Sequence, residues 1–146
     1  MTTIPDLQGE YRPPAPSRVI FGRGKTSQLP QEVASLGGKR VLLLSGRSVA
    51  EKTDTVRRVA SLLGDACVDV YSGLSQRAPL ATAVEATRLA LENQVDTLVG
   101  VGGSTISDAA RMIAVMMAEG ITSEERPREL GRPHHGLLEP ALEGKT

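Results

Sequence analysis

The sequence predicts an α/β domain, a parallel β-sheet with helices on both faces. Two observations carry the prediction. Strand-like and helix-like stretches alternate at least three times from Arg40 onward, as in sheets built from strand–helix–strand units. The leading strand stretch, Val41-Leu42-Leu43-Leu44, is apolar without alternation, which suits a strand covered on both sides.

Taken in order, residues 1–17 contain Pro5, Pro13, Pro14 and Pro16 and no apolar period. They read as an extended N-terminal arm that packs late or not at all. Arg18–Phe21 is a short strand closed by Gly22-Arg23-Gly24. Lys25–Leu36 reads as a helix with Leu29, Val33 and Leu36 on one face and Gly37-Gly38 as its stop. After the strand Arg40–Leu44, the polar turn Ser45-Gly46-Arg47-Ser48 leads into a helix over Val49–Leu63, with Ser48 as its cap and Gly64 as its end. Val49, Val56, Val59, Ala60 and Leu63 share a face of that helix. Ala66–Tyr71 is the next strand. Pro79 suits a first helical turn, and Leu80, Val84, Thr87 and Leu91 continue a helix to about Asn93. The strand Asp96–Val101 follows. The helix Ser107–Glu119 is apolar nearly all round, so it is expected to be buried in this domain or against a neighbour. Residues 18–120 thus form the domain, and 121–146, rich in charge and proline, read as a poorly ordered tail or linker remnant.

The length of 146 residues allows one sizeable core. With 17 basic and 17 acidic side chains, no net field recruits nucleic acid or an anionic membrane. Aromatic residues make up only 2%, too few for base-stacking platforms. No apolar run approaches the roughly 20 residues of a membrane span, and the first residues lack the pattern of a signal peptide. The single cysteine, Cys67, has no internal partner and fits a reducing compartment, so a cytoplasmic location is expected. By itself Cys67 reads as a small buried side chain on a strand.

The ligand site of a parallel sheet lies beyond the carboxyl ends of its strands, where the polar turns Ser45–Ser48 and Gly102–Ser107 both fall. Gly102, Gly103, Ser104 and Thr105 make a tight turn into a helix, whose first N–H groups and positive dipole end suit a phosphate. The competing explanation is that strand–helix turns favour Gly, Ser and Thr for bending and capping alone. The turn matches neither G-x-G-x-x-G nor a Walker A loop. Asp108 either complements the helix dipole or ligates a ribose or amide. Arg47 either accommodates a ribose 2′-phosphate or is a solvated surface arginine. His134 and His135 are adjacent, whereas a chelating pair on a helix needs a spacing of three or four, so no metal site is expected. No acid/base constellation can be assembled.

The runs Arg18–Gly24, Leu36–Leu42 and Asp96–Arg111 resemble the N-terminal domain of the iron-containing (group III) alcohol dehydrogenases. That family includes the maleylacetate reductases and is more distantly related to glycerol dehydrogenase and dehydroquinate synthase. The resemblance covers Arg18 to Gly120. The family's G-G-G-S-x-x-D-x-A-K turn and helix maps onto Gly102, Gly103, Ser104, Thr105, Asp108, Ala110 and Arg111. It implies a Rossmann-like domain, similar to the N-terminal domain of dehydroquinate synthase, that binds NAD(P) with the pyrophosphate on the glycine turn. The implied cofactor-binding residues are Ser45, Gly46, Arg47, Gly102, Gly103, Ser104, Thr105 and Asp108. Gly46 replaces the family's frequent aspartate, which leans towards NADP rather than NAD. Ser104 replaces the third glycine and Arg111 the lysine. The family's helical half, which holds the Fe or Zn that polarises the substrate carbonyl, has no counterpart here, so that metal is not expected to bind this chain. The resemblance therefore implies a dinucleotide-binding portion of a metal-dependent oxidoreductase, not catalytic alone. Expected partners are the dinucleotide and either a second copy or a missing helical domain. The alternative is a non-enzymatic α/β module for nucleotide sensing or protein association.

Overall fold

The computed structural model describes residues 9–11, 18–75 and 80–125. Strands β1 (Gly9–Tyr11) and β2 (Val19–Phe21) pair antiparallel. Part of the N-terminal arm is therefore hydrogen-bonded to the domain, through three residues too few to show a period. A 3₁₀ turn, Lys25–Gln28, precedes helix α1 (Leu29–Ser35). The continuous helix expected over Lys25–Leu36 is divided by Pro30. Proline has no N–H to donate one turn back, so it settles in the first turn of α1. Leu36 falls beyond α1 and is exposed.

Strand β3 (Val41–Gly46) is followed by two helices, α2 (Arg47–Lys52) and α3 (Thr55–Leu63), where one was expected over Val49–Leu63. Thr53 makes the break. Its backbone is extended, its hydroxyl donates to the Val49 carbonyl at 2.7 Å, and its oxygen accepts the Thr55 N–H at 3.3 Å. Such local side-chain bonds compete with helix continuation. Ser48 is not a cap: α2 already begins at Arg47, with Gly46 in the capping position and no side-chain cap.

Strand β4 (Cys67–Leu74) runs three residues beyond the expected end at Tyr71. Helix α4 (Leu80–Glu92), strand β5 (Thr97–Val101) and helix α5 (Ser104–Glu119) complete the fold. Pro79 lies outside the described residues. The buried face of α4 is Ala83, Val84, Ala86, Thr87 and Ala90, with Leu91 exposed. Thr87 is tolerated there because its hydroxyl bonds to the Ala83 carbonyl of its own helix at 2.7 Å.

The parallel sheet has the order β4-β3-β5. Val41 to Leu44 are all inaccessible to solvent, and their side chains alternate between two cores. Val41 and Leu43 pack with Val33 of α1 and Val56, Val59 and Leu63 of α3. Leu42 and Leu44 pack with Leu74 and with the apolar faces of α4 and α5. Helices therefore cover both faces, as the uninterrupted apolar run in β3 requires. The chain leaves β3 for β4 over one face and returns across β3 to β5 over the other, which reverses the winding beside β3.

Helix α5 buries one face, Ile106, Ala109, Ile113 and Met116, and not its whole circumference; Val115 is 56% exposed. It ends in a Schellman motif. Gly120 takes φ +62°, its N–H donates to the Met117 carbonyl at 3.3 Å, and the Ile121 N–H reaches the Met116 carbonyl at 2.8 Å. Ile121 is buried, and Arg88 donates to the Thr122 carbonyl at 2.8 Å, so packing continues past Gly120.

At the amino end of the sheet Asp96 joins β3 to β5. Its carboxylate accepts the Lys39 N–H at 3.0 Å, the Arg40 N–H at 3.1 Å and the Thr97 hydroxyl at 2.8 Å. These donors hold the Asp96 carboxyl below the ordinary aspartate range, the Arg40 and Lys39 N–H bonds first among the causes. A carboxyl with a folded-state pKa below its unfolded one stabilises the fold above the unfolded value and stops doing so as pH falls through the folded one. Asp96→Asn is therefore expected to lower stability at pH 7. Its deficit against the parent should shrink once pH drops below about 4, the unfolded aspartate value. Urea unfolding at pH 7 and pH 3 checks this, and an equal deficit at both would refute it.

Candidate functional site

The carboxyl ends of β3 and β5 are neighbours, with Ser45 opposite Val101 in the ladder. Beyond them the chain turns at Gly46 into α2 and at Gly102-Gly103 into α5. Helix α2 continues into α3, which packs on one core, and α5 packs on the other. The two turns consequently diverge over opposite faces at the point where the winding reverses, the usual ligand position in sheets of this order.

The two glycines of the bend have different roles. Gly102 takes φ +155°, and a methyl built on it would lie 2.5 Å from Ile106 Cγ1. Its bareness admits Ile106 from inside the domain. Gly103 is extended, with φ −88° and ψ −161°, is exposed, and has no atom within 4 Å of the position its methyl would take. Gly102 is exposed as well, but only Gly103 has open space where a side chain would stand. Helix α5 opens directly after it, with no side-chain cap and no acidic residue in its first turn. The Gly103 carbonyl accepts the N–H groups of Ile106 at 3.1 Å and Ser107 at 3.3 Å. A 16-residue helix thus begins here with its positive end unneutralised by its own side chains.

The other expected site residues are distributed unevenly. Ser104 is exposed and Thr105 half-buried on the first turn of α5, beside the bend. Arg47 is exposed at the start of α2, its Nε 3.9 Å from Glu51 Oε1, a loose surface pair. Ser45 lies within β3 and is wholly buried, its hydroxyl 3.4 Å from the Gly46 carbonyl, so that hydroxyl does not face outward. Asp108 is not in the first turn, because α5 begins at Ser104 and not at Ser107. Its carboxylate accepts Arg111 Nη1 at 2.9 Å on the exposed helix surface.

Ile106 was not singled out by sequence reasoning, although an apolar residue inside a Gly/Ser/Thr turn is a visible signal. It lies near Gly46 too: a methyl on Gly46 would lie 3.2 Å from the Leu74 carbonyl oxygen and 3.9 Å from Ile106 Cδ1. Concave space lies to one side of the bend. A groove of about 390 Å³ runs along β5 beside Ile20, Gly22 and Thr26. It shares Thr26, Thr55 and Val59 with a groove of about 820 Å³ between Gly24–Ser27 and α3.

The remaining titratable features lie on β4. Burial, then Asp69, pushes the half-buried Cys67 thiol up, which disfavours its thiolate. Tyr71 donates to Glu85 at 2.7 Å, and burial followed by that bond pushes its phenol up. Among the described residues no three His, Cys, Asp or Glu side chains are grouped to hold a metal ion. His134 and His135 lie outside those residues. Among the described residues no helix is long and apolar enough to cross a membrane.

The sequence model of the family described as iron-containing alcohol dehydrogenase matches residues 16–138. Maleylacetate reductase 2 of Cupriavidus pinatubonensis is 34% identical over 100 residues, covering 68% of this chain and 27% of the relative. The iron-containing alcohol dehydrogenase of Corynebacterium glutamicum superposes with a TM-score of 0.58 at 31% identity, covering 67% of this chain and 26% of that one. The NADH-dependent butanol dehydrogenase A of Thermotoga maritima does so with a TM-score of 0.58 at 29% identity, covering 64% and 24%. The chain spans about a quarter of the length of the curated relatives it matches.

Proposed function

This chain belongs to the iron-containing alcohol dehydrogenase family, and on that premise we propose that it is the NAD(P)-binding portion of a metal-dependent oxidoreductase. The observation that carries the reading is Gly103, bare and outward-facing at the uncapped start of α5 and beside the turn at Gly46-Arg47. The N–H groups of residues 103–105 bind the diphosphate, and the α5 dipole favours its charge. Ser104 adds a hydroxyl donor at the rim. Bound NAD(P) supplies or accepts the hydride.

The turn at Gly46-Arg47 carries no carboxylate to take a ribose 2′-hydroxyl, and the Leu74 carbonyl leaves little room for one at position 46. In this reading Arg47, exposed at the start of α2, takes the 2′-phosphate of NADP. The family's metal does not fit the described residues, for want of a ligand group. The chain accordingly holds cofactor without turning over an alcohol alone. The exposed side of α5 around Val115 favours a second role in association with another copy or domain.

Fluorescence titration of the 146-residue chain tests this reading. Saturable binding is expected, with NADPH at least as tight as NADH, and no alcohol oxidation on adding Fe²⁺ or Zn²⁺. Silence up to millimolar cofactor would leave only the association role. A large preference for NADH would reverse the NADP assignment, and turnover with added metal would overturn the claim that this portion is inactive alone.

A further inference from the structure

Three glycines from separate places in the chain surround one side chain. A methyl built on Gly102 would lie 2.5 Å from Ile106 Cγ1, one on Gly100 would lie 3.1 Å from Cγ2, and one on Gly46 would lie 3.9 Å from Cδ1. The methyl position on Gly102 also lies 3.7 Å from Cδ1, so Ile106 fills space that the missing side chains leave free. Gly46 ends β3, whereas Gly100 and Gly102 belong to the end of β5 and its bend, so one buried residue lies next to both turns. A β-branched side chain in a helix is held to few rotamers. A close-packed interior passes displacements on where a looser one would absorb them.

We infer that Ile106 is a positioning residue, whose side chain sets the separation between the 45–48 and 102–105 turns and, through it, the affinity for dinucleotide. The affinity half rests on the cofactor reading above; the spacing half does not. Ile113 is the matched comparison. It lies two turns further along α5, is equally buried in the same core, and is not among the atoms nearest any of the three glycines.

The experiment uses Ile106→Val, which removes only Cδ1, with Ile113→Val as control. Amide hydrogen exchange is followed without ligand, and NADPH is then titrated. Ile106→Val is expected to speed exchange about fivefold at both turns and to weaken NADPH about three- to tenfold. Ile113→Val should do neither, although it loses a comparable methyl group. Faster exchange at one turn only, or the same pattern in Ile113→Val, overturns the spacing role. Loosened turns with unchanged NADPH affinity overturn the affinity half. If the parent chain binds no NADPH, the cofactor reading and the affinity half built on it fall, while the exchange comparison still decides whether Ile106 links the two turns.

Discussion

Replacing Gly102 with alanine is expected to cost about 3 kcal/mol of stability, from two additive sources. An L-residue held at φ +155° stores strain of roughly 1–3 kcal/mol. The new methyl would also sit 2.5 Å from Ile106 Cγ1 and 3.3 Å from its Cβ, and overpacking of this kind costs about 1–3 kcal/mol. Ile106 has little room to retreat, since it is buried in the core shared by β3, α4 and α5. For a domain of this size the loss corresponds to a fall in Tm on the order of 10 °C. Thermal unfolding followed by circular dichroism checks it. A change below about 1 kcal/mol would show that the bend can relax away from Ile106.

Gly103→Ala should do the reverse. Its backbone angles are open to any residue, and no protein atom lies within 4 Å of the added methyl. Stability should stay level or rise slightly, because alanine narrows the unfolded ensemble. Dinucleotide affinity, however, should fall about 10- to 100-fold. On the cofactor reading proposed above, the methyl lies where the diphosphate approaches the backbone, and losing one or two charge-assisted hydrogen bonds costs roughly 1.5–3 kcal/mol. Titrating NADPH into the folded variant is the measurement, and unchanged affinity would remove the bend from the cofactor site. Together the two substitutions separate a glycine the fold requires from one it does not.

What could be read in the sequence was what depends on pattern over several residues. The run Val41–Leu44 announced a strand covered on both faces, and the strand–helix alternation announced the parallel sheet. What escaped depends on single contacts. Thr53 divides a helix through its own hydroxyl, and Pro30 shortens another. Asp108 misses the first turn of α5 because that helix starts three residues early. Ser45 has the composition of a site residue and the burial of a core one. The bend itself was evident from Gly102-Gly103. Which glycine the fold requires could not be, since that depends on where Ile106 lies against the bend.

The Asp96 clamp has a consequence for how far β3 and β5 can shift against each other. It stitches Lys39 and Arg40 to the foot of β5, at the end of the sheet opposite Gly46 and Gly102. Above it the ladder is paired from Val41–Thr97 to Ser45–Val101, so the two strands move as one plate. Any give needed to seat a guest is confined to the chain beyond Ser45 and Val101.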